Sequence, residues 1–264
     1  MSVLEAVLLG LIQGLTEFLP VSSSGHLVLF QNIFGTTGDH LFFDTMLHIG
    51  TLVAVFIVLW KDIKEIFLNL FGRFTWILAV ATIPAVLAGL FLEDFFEGAF
   101  EGQYLAYGFM LTSVLLVVSE QIAARKKANC KTKDQISFPT AFGVGCMQAV
   151  AILPGVSRSG STLAGNLASG LDRSLAASFS FLMSIPVILG SAVLQGYDII
   201  TEGAGEIFLL PTVAGMIAAA VSSFFAAKFM MKLIRNKKLY GFAVYTAILG
   251  VLVLLDQLYF HIVF

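Results

Sequence analysis

The stretch QGLTEFLPVSSSGHL, Gln13 to Leu27, decides how this chain reads. It carries an amide, a carboxylate, three consecutive serines and a histidine between apolar flanks, and Pro20 and Gly25 break it. Irregular polar backbone between apolar runs is tolerated at membrane depth only where protein buries it or where it lines a wet cavity. The chain uses the pattern twice. At an offset of 135 residues, Gly10, Gln13, Val21, Ser22, Ser24 and Gly25 meet Gly145, Gln148, Val156, Ser157, Ser159 and Gly160 without a gap. Arg158 falls opposite Ser23 and is the cation of the second copy.

The surrounding chain is membrane-like. Of its 264 residues 58% are hydrophobic and only 12% are charged, where a soluble domain would carry about 25%. The apolar surplus must face lipid, which excludes a soluble enzyme and makes this a polytopic, all-α integral membrane protein. Beyond the polar stretches, six apolar runs fall at roughly 42–60, 75–92, 104–123, 174–196, 207–230 and 239–263. Each approaches the ~20 residues that cross a ~30 Å hydrocarbon core. Met1 to Leu19 lacks a basic n-region and a small-residue cleavage site, so no cleavable signal is expected. Cys130 and Cys146 lie in a basic loop and an apolar run, and no disulfide is expected. No nucleic-acid partner is expected.

Charge sets the topology. Fourteen of the fifteen Lys and Arg residues lie after the first, third and fifth runs or just before the fourth. The positive-inside rule places all fourteen in the cytoplasm, provided that 138–172 crosses the membrane an even number of times. Its 35 residues are too few for two crossings of ~20 plus a turn, so it reads as a re-entrant hairpin from the cytoplasmic side. Residues 2–34 then form the matching hairpin. Three spans separate the copies, so the second is inverted and the first enters from the outer side. The expected domain is thus one inverted-topology pair: repeat 1 over 1–124 and repeat 2 over 138–264, with six transmembrane helices in all and hairpin tips meeting near the midplane. Glu93, Asp94, Glu97 and Glu101, with Asp198, Glu202 and Glu206, make the opposite loops acidic.

The tips carry the chemistry. Arg158 cannot shed its charge, and its planar fork suits phosphate or carboxylate. A helix starting near Ser159 would offer free N–H groups to the same anion, with Ser157, Ser159 and Thr162 as neutral donors. A structural pair between Arg158 and Glu17 across the hairpins fits as well, and the two readings are compatible. Gln13 and Glu17 share a helix face at i, i+4, which suits a hard divalent cation. Ser22, Ser23, Ser24 and His26 offer hydroxyl nucleophiles beside an imidazole acid or base. Asp44 and His48, again i, i+4, border the site, and Gln148 and Asp256 are the other polar groups inside apolar runs.

QGLTEFLPVSSSGH and LPGVSRSGST resemble the two signature segments of the undecaprenyl-diphosphatase family of the bacitracin-resistance type. The resemblance extends over the full length, through FDTMLHIGT and SFLMSIPVILG. It implies a multi-pass enzyme of the bacterial plasma membrane that hydrolyses undecaprenyl diphosphate to undecaprenyl phosphate and phosphate, recycling the lipid carrier for peptidoglycan. It also implies bacitracin resistance, a homodimer embedded in membrane lipids, a site open to the outer side, and a cofactor of Mg²⁺ or Ca²⁺. By the same resemblance Ser23, with Ser22 beside it, is the nucleophile, His26 the essential histidine, Arg158 the phosphate clamp and Glu17 the acidic position. Gln13 stands where the family often has Glu. A water nucleophile or His26 itself remains open as the attacking group. A secondary transporter or flippase for a polyprenyl phosphate lipid is the rival of another class, and a purely structural membrane protein a third.

The topology is checked at Cys130. An impermeant maleimide applied to the outside of intact cells should leave it unlabelled until the membrane is permeabilised; labelling from outside would reverse the orientation.

Overall fold

The computed structural model describes residues 1–36, 41–91, 102–126, 130–202 and 209–264. Helices are α1 Val3–Glu17, α2 Ser23–Phe34, α3 Leu41–Val58, α4 Trp60–Leu68, α5 Arg73–Phe91, α6 Leu105–Lys126, α7 Phe138–Val150, α8 Arg158–Ala168, α9 Arg173–Glu202, α10 Leu209–Asn236 and α11 Tyr240–Leu255. Among the described residues no strand forms beyond the single bridge between Lys131 and Leu171. Six helices, α3, α5, α6, α9, α10 and α11, are long and apolar enough to cross a membrane. At 1.5 Å per residue the 15 residues of α1 span only about 22 Å, and α2, α7 and α8 are shorter still.

Local sequence explains the short helices. Ser2 and Glu5 form a reciprocal capping box that starts α1. Ser22 caps α2 by accepting from Gly25 N, and Ser157 caps α8 by accepting from Gly160 N. The two caps are related by the 135-residue offset, and so are the helix starts: Val3 with Phe138, Ser23 with Arg158, and Leu105 with Tyr240. Helix packing follows the same exchange. α1 lies on α10 while α7 lies on α5, and α6 pairs with α11.

Small residues permit this close packing. A Cβ built on Gly10 would lie 2.3 Å from Gly215 O, and one on Gly145 2.4 Å from Ala81 O. At the turns, Gly25 meets Gly155 and Gly160 meets Pro20; the offset relates both members of these contacts. Gly155 has φ +85°, a region that only glycine enters freely. Its carbonyl accepts from Thr112 Oγ1 at 3.0 Å, and that same oxygen accepts from Ser157 N at 2.8 Å. α6 thereby pins the turn between α7 and α8.

The basic segments meet at one end of the bundle. Lys133 pairs with Glu65 at 2.8 Å, Arg73 donates to Ile136 O, and Arg173 forks onto buried Glu120 at 2.7 and 3.0 Å. Lys131 N donates to Gly170 O and Asp172 N to Lys131 O, so the segment holding α7 and α8 starts and finishes together. Glu93, Asp94, Glu97, Glu101 and Glu206 lie outside the described residues.

Several expected bounds shift. α2 begins at Ser23 and α8 at Arg158, one residue before the expected start near Ser159, because Ser22 and Ser157 supply caps that let the following polar residues turn helical. α9 and α10 run to Glu202 and Asn236, past the apolar runs: hydropathy marks where lipid ends, not where a helix ends. α4, a short helix with exposed Trp60 and Phe67 beside Lys61 and Lys64, follows the first span as an unforeseen element.

Close packing of α1 sets a stability test. Gly14→Val would place its Cβ 2.4 Å from Ala219 O and should cost roughly 1–3 kcal/mol, read as a lower unfolding temperature in detergent. Gly143→Ala meets nothing within 4 Å and should be neutral or slightly stabilising.

Candidate active site

The ends of the first hairpin's two helices face the start of α8. Glu17, the last residue of α1, is 4% exposed and receives three side chains. Arg158 Nη2, from the second hairpin, donates to its Oε1. Ser23 Oγ donates to Oε2 at 2.6 Å, and Gln13 Nε2 to the same oxygen at 2.9 Å. His48 on α3 completes the cluster, with Nδ1 3.3 Å from Glu17 Oε2 and 2.8 Å from Gln13 Nε2. A buried carboxylate needs such partners, since an unpaired one would be strongly penalised.

These groups open on a cavity of about 160 Å³ lined by Glu17, Ser23, Ser24, Thr45, His48, Gln148, Ser157, Arg158, Ser159 and Ser191 among others. Its apolar lining comes from Ile152, Val156, Val187 and Ile188. Glu17 is the only carboxylate among the described lining residues. The N-termini of α2 and α8 both reach this cavity, so two positive helix ends and their first N–H groups converge on one volume. Six buried polar atoms have no hydrogen-bond partner among the described residues: Arg158 Nη1, Gln13 Oε1 and both amide atoms of Gln148, with Ser161 Oγ and Asn166 Oδ1 further along α8. Converging helix ends, a guanidinium with a spare N–H and a ring of hydroxyls together suit an oxyanion with several acceptor oxygens.

Not every expected residue faces this volume. Ser22 is buried and caps α2 at φ +70°, an uncommon conformation for a non-glycine residue. His26 is also buried and does not line the cavity. Its Nδ1 lies 2.6 Å from Ser22 O, an atom that can only accept, so that nitrogen carries a proton; Nε2 lies 2.8 Å from Tyr245 Oη. The ring stacks on Tyr245 and meets Phe109 edge-on. His26 therefore braces the strained Ser22 on which Ser23 follows. Thr162, fully buried, bonds Arg158 O at 2.9 Å and Ser180 Oγ at 2.5 Å. Ser159 Oγ donates to Leu19 O at 3.0 Å, tying the two hairpin turns together. Asp44 accepts from Gln31 Nε2 at 2.8 Å, and Asp256 takes the N–H groups of Ile262, Val263 and Phe264.

His48 and Thr112 are the residues that sequence reasoning underweighted. His48 was visible as a histidine in an apolar run, four residues from Asp44, yet its partner is Glu17 on another helix. Thr112 carried no signal, being one threonine in a lipid-like run.

Comparisons with known proteins agree over nearly the whole chain. The family model described as bacitracin resistance protein BacA matches residues 6–252. A protein of Carboxydothermus hydrogenoformans named undecaprenyl-diphosphatase is 44% identical over 260 residues, covering 97% of this chain and 98% of its own. One of the same name from Halothermothrix orenii is 40% identical over 259 residues, with 97% and 98% covered. Another from Bacteroides thetaiotaomicron is 41% identical over 274 residues, with 98% and 100% covered. Both signature segments, and the Glu17, Ser23 and Arg158 cluster that they build, lie inside the matched range. This multi-pass membrane protein belongs to the bacitracin resistance protein BacA family.

Proposed function

We propose that the chain hydrolyses undecaprenyl diphosphate to undecaprenyl phosphate and inorganic phosphate in the cavity between the hairpin turns. The observation that carries this is the bridging of Glu17 between the Ser23 hydroxyl and the Arg158 guanidinium, in a chain kin to named undecaprenyl-diphosphatases. Return of the carrier lipid to its monophosphate supplies wall-polymer synthesis, and bacitracin resistance fits the family's description.

The chemistry follows from charge. The terminal phosphate takes Arg158, the α8 N-terminus and the Ser157 and Ser159 region, where phosphoryl transfer is mainly an electrostatic task. Binding draws Arg158 from Glu17 and leaves the carboxylate free to accept the Ser23 proton over the existing 2.6 Å bond. Ser23 Oγ bonds to the terminal phosphorus as the bridging P–O bond breaks, and undecaprenyl phosphate leaves. Glu17 passes the serine proton to the departing undecaprenyl phosphate. Water then attacks the phosphoserine, Glu17 takes a proton from it and returns it to Ser23 Oγ, and phosphate departs. His48, against the same carboxylate oxygen, is the imidazole placed to relay it; His26 acts by holding Ser22 and hence Ser23.

A divalent cation, Mg²⁺ or Ca²⁺, fits the donor set. Gln13 Oε1 is buried with no partner beside the Glu17 carboxylate, and hard cations take one or two carboxylates plus substrate phosphates. When bound, such an ion would neutralise phosphate charge. The hairpins read as re-entrant, from opposite faces, because their helices are too short to span and the ends of the second meet among the basic segments. We further place the basic loops in the cytoplasm and the site toward the outer face of the bacterial plasma membrane. The homodimer rests on family resemblance alone.

Purified protein in detergent, given a polyprenyl diphosphate and Mg²⁺, should release phosphate. Ser23→Ala and Arg158→Ala should each lower kcat/KM by about 100-fold or more. A protein that only moves lipid would release none, and normal rates in either variant would refute these roles. Chelation of divalent ions should abolish turnover, and added Mg²⁺ or Ca²⁺ should restore it.

A further inference from the structure

Gln148 on α7 is 1% exposed, lines the cavity, and leaves both its amide oxygen and its amide nitrogen without a partner among the described residues. Burying such a group unsatisfied forfeits its bonds to water with nothing in return, and native buried amides are nearly always bonded to something. The 135-residue offset shows why this one is not. Its counterpart Gln13 bonds Glu17 and His48. At the matching positions beside Gln148 stand Ile152 and Met183, which offer an amide nothing. The second copy has neither partner, yet an amide occupies the buried position.

We propose that Gln148 is a substrate-binding residue whose side-chain amide donates to a phosphate oxygen of the bound diphosphate. The chemistry is suited to that role. A neutral N–H donor adds a bond to an anion already faced by Arg158 and two helix ends, without the desolvation cost of another buried charge. The amide oxygen can meanwhile accept from water or a lining hydroxyl. Gln13 and Gln148 thus have divided tasks: the first orients Glu17 and His48 within the protein, and the second meets the ligand. The inference rests on the reading of this cavity as a diphosphate site.

The test compares wild type, Gln148→Leu and Gln148→Glu in steady-state phosphate release from a polyprenyl diphosphate, alongside thermal unfolding of each in the same detergent. The leucine enzyme should lose about 10- to 100-fold in kcat/KM, the range for a hydrogen bond to a charged group. It should unfold at the wild-type temperature or higher, because an unsatisfied amide has been replaced by an apolar group. The glutamate enzyme should lose more, its carboxylate repelling phosphate. If the leucine enzyme fails to fold, Gln148→Met gives the same readout. A wild-type enzyme that turns over while the leucine variant stays within about threefold of it would overturn the inference and leave the reading of the site intact. Loss of activity in step with a lowered unfolding temperature would overturn it too, as would a glutamate variant as active as wild type. Failure of the wild type itself to release phosphate would instead fault the diphosphate reading.

Discussion

A buried carboxylate shared by two hairpins organises this protein. Glu17 sits at 4% exposure in a chain built for lipid, where an unpaired charge would be costly. Arg158 from the other hairpin supplies the countercharge, and Ser23 and Gln13 fill the second oxygen. Neither hairpin supplies the countercharge for its own ion: without Arg158 the first would hold a carboxylate met only by neutral donors, and without Glu17 the second would hold an unpaired guanidinium. The hairpin turns must therefore meet, and Gly25 on Gly155, Gly160 on Pro20, and Ser159 on Leu19 O let the backbones approach closely enough.

The same interaction makes the site reactive. A guanidinium held by one carboxylate can exchange that partner for a phosphate of greater charge, and the exchange returns a base to the neighbouring serine. Pairing in the empty protein and catalysis in the loaded one are two uses of one contact. The scaffold keeps it in register from both sides. Ser22 and Ser157 cap the two inward-facing helices, His26 clamps the strained Ser22 carbonyl, and Thr112 bonds both Gly155 and Ser157.

Much of this was legible in the residues alone, and what escaped had a physical reason. Identities recur at one offset in the sequence, and the helix starts keep that offset. Polar interruptions marked Gln13, Glu17, Ser23 and Arg158, because a lipid-like background makes any polar residue conspicuous. The Glu17–Arg158 contact was foreseen since each ion needed a partner. His48 was harder to place, because its nearest polar neighbour in sequence, Asp44, is not its partner; helix packing takes it to Glu17. His26 looked as though it belonged beside Ser23, since the two stand only three positions apart. The first turn of α2 instead directs its ring to Tyr245, a residue 219 positions away. Thr112 could not be picked out, because one hydroxyl in an apolar helix usually bonds its own backbone.

A double-mutant cycle on Glu17→Gln and Arg158→Met, followed by thermal unfolding of the four proteins in one detergent, tests the shared-carboxylate account most directly. Arg158→Met strands the buried Glu17 carboxylate and should lose several kcal/mol, on the order of 3–5, while Glu17→Gln strands the partly exposed Arg158 and should lose less. The double variant, with neither charge, should recover most of that loss while remaining inactive, so that the two effects are strongly non-additive. Additive losses, or a double variant less stable than either single one, would contradict the claim that this ion pair joins the two halves of the site.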